Sequence, residues 1–276
     1  MPLFLGQTMV VAHNPTETNP DHHYFEEIGD HFLKQIYYNN KGRIRLAVLK
    51  RDLAPFMRTP KPLEILDIGA GAGQMALWCA AFGHRVTLFD ASERLLAQAQ
   101  KQAQKESLNA QCTFICGEIT QMPDVLGARQ FDFVLSHAVL EWLEDGAQLF
   151  ERCQQYLKPN GLLSLMYYNR SALEFIQHVF GNFSYVDSGL VAKKTAKLTP
   201  KYPRSSDWVA AQLGALPLKK QSGIRCFYDY MKPEDRAANS IESIIAHELS
   251  LSLRREFLPV ARYIHEIRQR TISTAN

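Results

Sequence analysis

The sequence predicts an α/β fold, a doubly wound and mostly parallel sheet covered by helices on both faces. Three observations carry that reading. Apolar strand-like runs alternate with helix-periodic segments over residues 60–168, a Gly-x-Gly-x-Gly turn follows the first run, and an aspartate ends the second. A length of 276 residues suits one large domain. With 46% hydrophobic and 21% charged residues the chain has ordinary globular composition, which excludes disorder as a whole.

Each element has a local reason. Residues 1–20, with Pro2, Pro15 and Pro20, show no sustained period and read as a flexible leader; residues 21–276 read as a single domain. Phe25, Ile28, Phe32 and Ile36, then Ile44, Val48 and Leu49, recur at helical spacing and predict two helices before the core. Leu63 to Ile68 is a short apolar strand, and Gln74 to Phe82 a helix stopped by Gly83. Arg85 to Phe89 is a second strand. Ser92 then caps a helix running to about Glu106. Cys112 to Cys116 and Phe131 to Leu135 are further strands; Asp145 to Leu157 is a helix, Pro159-Asn160-Gly161 a turn, and Leu162 to Tyr168 a fifth strand. Residues 169–216 lack a strand period and read as an inserted helical segment, and Ser222 to Tyr230 as a late strand. The cofactor-binding core is expected over residues 60–168.

The chain's charge of +3 means that affinity for a polyanion has to come from uneven distribution. Such unevenness exists. Residues 193–225 hold eight basic side chains (Lys193, Lys194, Lys197, Lys201, Arg204, Lys219, Lys220, Arg225) against Asp207, a local excess of +7. A patch of this kind can gather RNA phosphates while Tyr185, Tyr202 or Trp208 stacks on bases, although a solvated charge run is the common alternative. The five cysteines are odd in number and lack a Cys-x-x-Cys pair, so neither a disulfide framework nor a tetrahedral zinc site is expected. No secretory signal or run of about 20 apolar residues is present, and a soluble, cytoplasmic protein away from membranes is expected.

The strongest chemical signal is Asp67-Ile68-Gly69-Ala70-Gly71-Ala72-Gly73 between strand and helix. Glycines allow a tight turn and close approach of a ligand, and the helix start presents unpaired N–H groups. Asp90, about 20 residues on, is placed to accept both hydroxyl hydrogens of a ribose; capping the next helix is its ordinary alternative. These features fit NAD or S-adenosylmethionine. Asp67, two residues before the first glycine, suits a cationic amino-acid-bearing cofactor and would sit poorly beside a pyrophosphate.

The loop, together with Phe131 to His137 and Leu157-Lys158-Pro159-Asn160-Gly161-Leu162-Leu163, resembles the motifs of class I S-adenosylmethionine-dependent methyltransferases, whose fold is Rossmann-like. Further strings resemble the bacterial tRNA 5-carboxymethoxyuridine methyltransferases over residues 24–230. They include Lys41-Gly42-Arg43-Ile44-Arg45, His137-Ala138-Val139-Leu140-Glu141-Trp142, Tyr167-Tyr168-Asn169, Leu198-Thr199-Pro200-Lys201-Tyr202-Pro203-Arg204 and Gly223-Ile224-Arg225. The resemblance implies methylation of the carboxylate of 5-carboxymethoxyuridine at the wobble position, with the tRNA anticodon stem-loop as partner. It further implies that Arg45, Asp67, Gly69, Ala70, Gly71, Asp90, Ile119, Thr120 and His137 surround the cofactor. Ala70 and Ala72 depart from a more glycine-rich and acidic loop.

A carboxylate acceptor is already ionised near neutral pH, so orientation rather than a general base is required. Tyr37, Arg43, Tyr168, Asn169, Lys193, Lys194, Arg204 and Arg225 are the expected substrate-side residues; packing and surface roles are their alternatives. A small-molecule methyltransferase and a noncatalytic cofactor- or tRNA-binding module remain alternative functions.

Overall fold

The computed structural model describes residues 9–12, 39–191, 200–214 and 216–271. The expected helix over Phe25 to Ile36 lies outside them. After a two-residue strand, β1 (Val10–Val11), helix α1 spans Asn40–Met57, and the Asn39 side chain caps it by accepting from Gly42 N at 2.9 Å. Ile44, Val48, Leu49, Leu53 and Met57 form its buried stripe.

The βα units then follow: β2 (Glu64–Ile68), α2 (Gln74–Ala80), β3 (Arg85–Asp90), α3 (Glu93–Lys105), β4 (Cys112–Cys116), α4 (Met122–Leu126), β5 (Phe131–His137), α5 (Ala147–Tyr156) and β6 (Leu157–Tyr168). The expected Pro159-Asn160-Gly161 turn sits inside β6 as an irregularity. Phe131 pairs with Leu157 but Phe133 with Leu162, and Asn160 takes the left-handed φ of 63° that the extra residues require. Over residues 169–216 the chain forms α6 (Arg170–Val179), α7 (Phe183–Asp187) and α8 (Ser206–Gln212).

The late strand, β7, covers Leu218–Ile224 and ends earlier than the sequence predicts. The N–H groups of Cys226, Phe227 and Tyr228 donate instead to the buried Glu248 carboxylate, at 2.7, 3.2 and 3.0 Å. A side chain thus replaces a neighbouring strand as their acceptor. Helices α9 (Pro233–Ala238) and α10 (Ile241–Leu251) lead to β8 (Tyr263–Gln269), which the sequence reading did not identify.

The strands form one sheet in the order β1-β4-β3-β2-β5-β6-β8-β7. Pairings from β1 to β6 are parallel, and β8 runs antiparallel to both β6 and β7. This reversed strand departs from the all-parallel dinucleotide-binding order. One apolar layer unites α1, α2 and α3 on one face; a second, around α5 and α8, covers the other. Strand order reverses at the β2/β5 junction, and the crevice beyond the carboxyl ends of those strands is where an open α/β sheet binds its ligand. No described helix is long and apolar enough to cross a membrane.

Candidate active site

A cavity of about 410 Å³ opens at that junction. The chain leaves β2 through Gly69, Gly71 and Gly73, all at positive φ, and a Cβ on Gly69 would stand 2.2 Å from Val139 Cγ2. Only glycine meets both demands. The N–H groups of Gly69 and Ala70 donate to Phe89 O, while the Asp90 carboxylate accepts from Gly71 N at 2.7 Å and from Ser92 N at 2.8 Å. Asp90 thereby ties the loop to the end of β3. Arg45, Asp67, Gly69, Ala70, Gly71, Asp90, Ile119 and His137 all line the cavity. Thr120 does not; it follows Ile119 within a short 3₁₀ turn.

The electrostatics identify the kind of ligand. Asp67 is only 3% exposed, and burial together with the neighbouring Asp90 pushes its pKa up to about 7, a backbone N–H of Ala76 offsetting part of the rise. Glu141, also buried, is likewise pushed up to about 7 by desolvation, against the pull of Arg45. A buried acid beside a glycine loop favours a cationic ligand and repels a pyrophosphate. S-adenosylmethionine fits this donor set: Asp67 would meet its ammonium and Asp90 its ribose.

A cationic cluster lines the same cavity. Arg225, Arg262 and Lys41 meet there with Tyr168 and Tyr263. Arg262 lies over the Tyr168 ring at 4.8 Å, Arg225 over the Tyr263 ring at 5.3 Å, and the two rings are 5.4 Å apart. Asp229 ion-pairs with Arg225 at 3.0 Å and with Lys41 at 3.4 Å. Arg262 Nη1 is buried without a hydrogen-bond partner. Arg225 and Ala138, both lining the cavity, are held at φ 58° and 62°, conformations that non-glycine residues adopt at a cost.

Sequence reasoning did not select Lys41, Glu141, Arg262 or Tyr263 as site residues. Lys41 and Glu141 stand in strings that carried the family resemblance, whereas Arg262 and Tyr263 belong to the unidentified β8 region. Several expected substrate-side residues are elsewhere. Arg43 is exposed and pairs with Glu242 at 2.7 Å. Asn169 caps α6 and donates to the carbonyls of Leu258, Pro259 and Ala261, so its amide is consumed in fixing the chain. Arg204 donates to the carbonyls of Leu143 and Glu144 and lies 4.6 Å over Trp208, a brace behind the cavity wall. Tyr37, Lys193 and Lys194 lie outside the described residues. The basic excess also divides: Lys220 turns inward to Asp52 at 2.9 Å, and Arg225 enters the cavity, so these two cannot belong to one outward-facing patch.

A doubly wound sheet with one reversed strand, a glycine turn at its switch point, a ribose-directed aspartate and a buried acid for a cationic end together define a class I S-adenosylmethionine-dependent methyltransferase. Comparison with known proteins agrees. A family described as a methyltransferase domain matches residues 66–165. The tRNA 5-carboxymethoxyuridine methyltransferase of Escherichia coli (strain K12) is 32% identical over 245 residues, spanning 87% of this chain and 94% of its own. The chain belongs to the tRNA 5-carboxymethoxyuridine methyltransferase family, and its cofactor is S-adenosylmethionine. A ubiquinone biosynthesis O-methyltransferase from Coxiella burnetii (strain Dugway 5J108-111) is 26% identical over 176 residues, 60% of this chain and 70% of its own. Among solved structures, magnesium protoporphyrin IX methyltransferase from Synechocystis PCC 6803 shares the fold with a TM-score of 0.60 at 15% identity, covering 91% of this chain and 98% of the other.

Proposed function

We propose that this protein methylates the carboxylate of 5-carboxymethoxyuridine at the wobble position of tRNA, in the cytoplasm, forming the methyl ester. The observation that carries the reading is the cluster of Arg225, Arg262 and Lys41 that lines the same cavity as Asp67 and Asp90. The 94% coverage of the Escherichia coli relative supports the same acceptor. The sulfonium and ammonium of the cofactor call for acids and an anionic acceptor calls for cations, and the lining of this cavity supplies both.

When bound, S-adenosylmethionine supplies an electrophilic methyl group on a sulfonium that departs as a neutral thioether. The residues of the chain do the rest by position. The guanidinium of Arg262, with its unpartnered Nη1, holds one acceptor oxygen while the other is left to attack. Tyr168 and Tyr263 keep the two guanidinium planes apart and fixed. Burial raises both tyrosine pKa values, so these hydroxyls stay protonated and can donate. No side chain has to remove a proton, because a carboxylic acid with a reference pKa near 4 is ionised at neutral pH. In this reading residues 169–216 form the substrate side, and the anticodon stem-loop approaches over them.

Incubation with methyl-labelled cofactor and either bulk tRNA or small carboxylate and quinol metabolites tests the reading. Label is expected in tRNA. Label confined to small molecules would make the protein a metabolite methyltransferase, and cofactor binding without any transfer would make it a binding module.

A further inference from the structure

Behind the cavity a continuous line of hydrogen bonds crosses α1, β8, β6 and β5. His265 donates from Nδ1 to Asp52 Oδ2 at 2.8 Å, its Nε2 meets Ser164 Oγ at 2.8 Å, and Ser164 Oγ meets His137 Nε2 at 2.8 Å. Sheet register makes the line possible. Met166 pairs with His137 on one side and His265 on the other, so all three point to one face, and Ser164 lies two residues before Met166 on that same face. Only His137 among these four polar residues lines the cavity.

The direction of the hydrogens follows from charge. Asp52 is 0% exposed, yet His265, Lys220 and Arg51 outweigh the desolvation that would raise its pKa and hold it well below the ordinary carboxylate range. It is therefore an acceptor, and His265 carries a hydrogen on Nδ1. Arg51 at 2.7 Å and Lys220 at 2.9 Å already outnumber the single charge of Asp52. With the Nδ1 hydrogen as its one ring hydrogen, His265 accepts at Nε2 from the Ser164 hydroxyl, and Ser164 Oγ accepts from His137 Nε2. Burial, with the Arg45 charge nearby, depresses the His137 pKa well below its usual value, so its ring is neutral and carries one hydrogen. The remaining nitrogen, Nδ1, is buried and has no hydrogen-bond partner.

We propose that Asp52, His265 and Ser164 are positioning residues that lock His137 in its Nε2–H tautomer, leaving Nδ1 to accept a hydrogen bond from an ammonium or hydroxyl group of the cofactor. The arrangement is a side-chain analogue of the outer partners that fix the tautomer of metal-bound histidines. It rests on the cavity's being the cofactor site and is independent of which molecule receives the methyl group.

Nitrogen-15 spectra of the full chain labelled at histidine test it, with S-adenosylhomocysteine as the probe. The ligand-free protein is expected to show His137 as the Nε2–H tautomer, and saturating probe to move the Nδ1 resonance towards that of an accepted hydrogen bond. Ser164→Ala is expected to mix the tautomers and weaken probe binding by about three- to tenfold in calorimetry, the worth of one hydrogen bond. Ser164→Thr, which keeps the hydroxyl, restores both. An Nδ1–H tautomer in the parent, an Nδ1 resonance indifferent to saturating probe, or parent-like tautomer and affinity in Ser164→Ala would each overturn the relay while leaving the cofactor site intact. Failure of the parent to bind the probe at all would remove the cofactor reading and the relay with it. The parent spectra decide the tautomer even where Ser164→Ala does not fold.

Discussion

Asp67 shows how one buried side chain can report its ligand. Its pKa is pushed up to about 7, so the ionised form is unfavourable in the ligand-free fold. The sign follows: this group's contribution to stability is complete below its unfolded pKa near 4 and is lost as pH rises through about 7. A cationic ligand prefers the ionised carboxylate, so affinity for S-adenosylhomocysteine, which keeps the ammonium, is expected to tighten several-fold between about pH 6 and about pH 8. Asp67→Asn is expected to flatten that slope, as read by calorimetry at several pH values. Equal slopes in variant and parent would contradict the assignment. Asp90→Ala removes the acceptor for Gly71 N and Ser92 N as well as for the ribose, and is expected to weaken binding by about ten- to a hundredfold, the range for hydrogen bonds to a charged group. Asp67, Asp90 and the glycines were legible in the sequence because their chemistry is local. A strand, a turn and an acid at fixed spacing specify the loop without knowledge of the rest. Residue type and neighbourhood do not reveal which way a side chain points, so the sequence suggests substrate-facing roles for Arg43, Asn169 and Arg204 that their contacts do not allow.

At the scale of elements, β8 explains what the sequence pattern conceals. Tyr263 to Gln269 carries His265, Glu266 and Arg268 at buried positions, so no apolar alternation announces a strand. Their partners are distant in sequence: Asp52 lies 213 residues from His265, and the Tyr167 hydroxyl reaches Glu266 across 99 residues. Conversely, the apolar run after Ile224 reads as strand yet is a loop capped by Glu248. Glu248→Ala strips that acceptor from three backbone N–H groups, two of whose residues, Cys226 and Tyr228, are buried. It is expected to cost about 2–3 kcal/mol in denaturant unfolding. Because Arg225 adopts its left-handed conformation directly before those residues, the same variant is expected to weaken acceptor binding more than cofactor binding. An unfolding free energy within error of the parent would show that the cap contributes nothing.

For the molecule as a whole, the reversed strand and the segment before it bring a second set of charges to a cavity whose first set lies on the parallel half of the sheet. In the proposed reading Asp67 and Asp90 serve the cofactor and the guanidinium groups serve the acceptor. The two functions are therefore separable. Arg262→Ala is expected to raise the KM for tRNA about tenfold or more with the S-adenosylhomocysteine Kd unchanged, since the buried charged donor that is lost is the one proposed to hold the acceptor. A matching loss of cofactor affinity would show that the two functions are not independent. The parallel half was readable from its βα rhythm; the antiparallel end was not, because its signals are pairings between segments rather than patterns within them. The most direct measurement is mass spectrometry of tRNA nucleosides after reaction with S-adenosylmethionine. The account predicts a gain of one methyl group on 5-carboxymethoxyuridine, removable by mild alkali as expected of an ester. An unchanged 5-carboxymethoxyuridine, or an alkali-stable methyl group on another nucleoside, would contradict it.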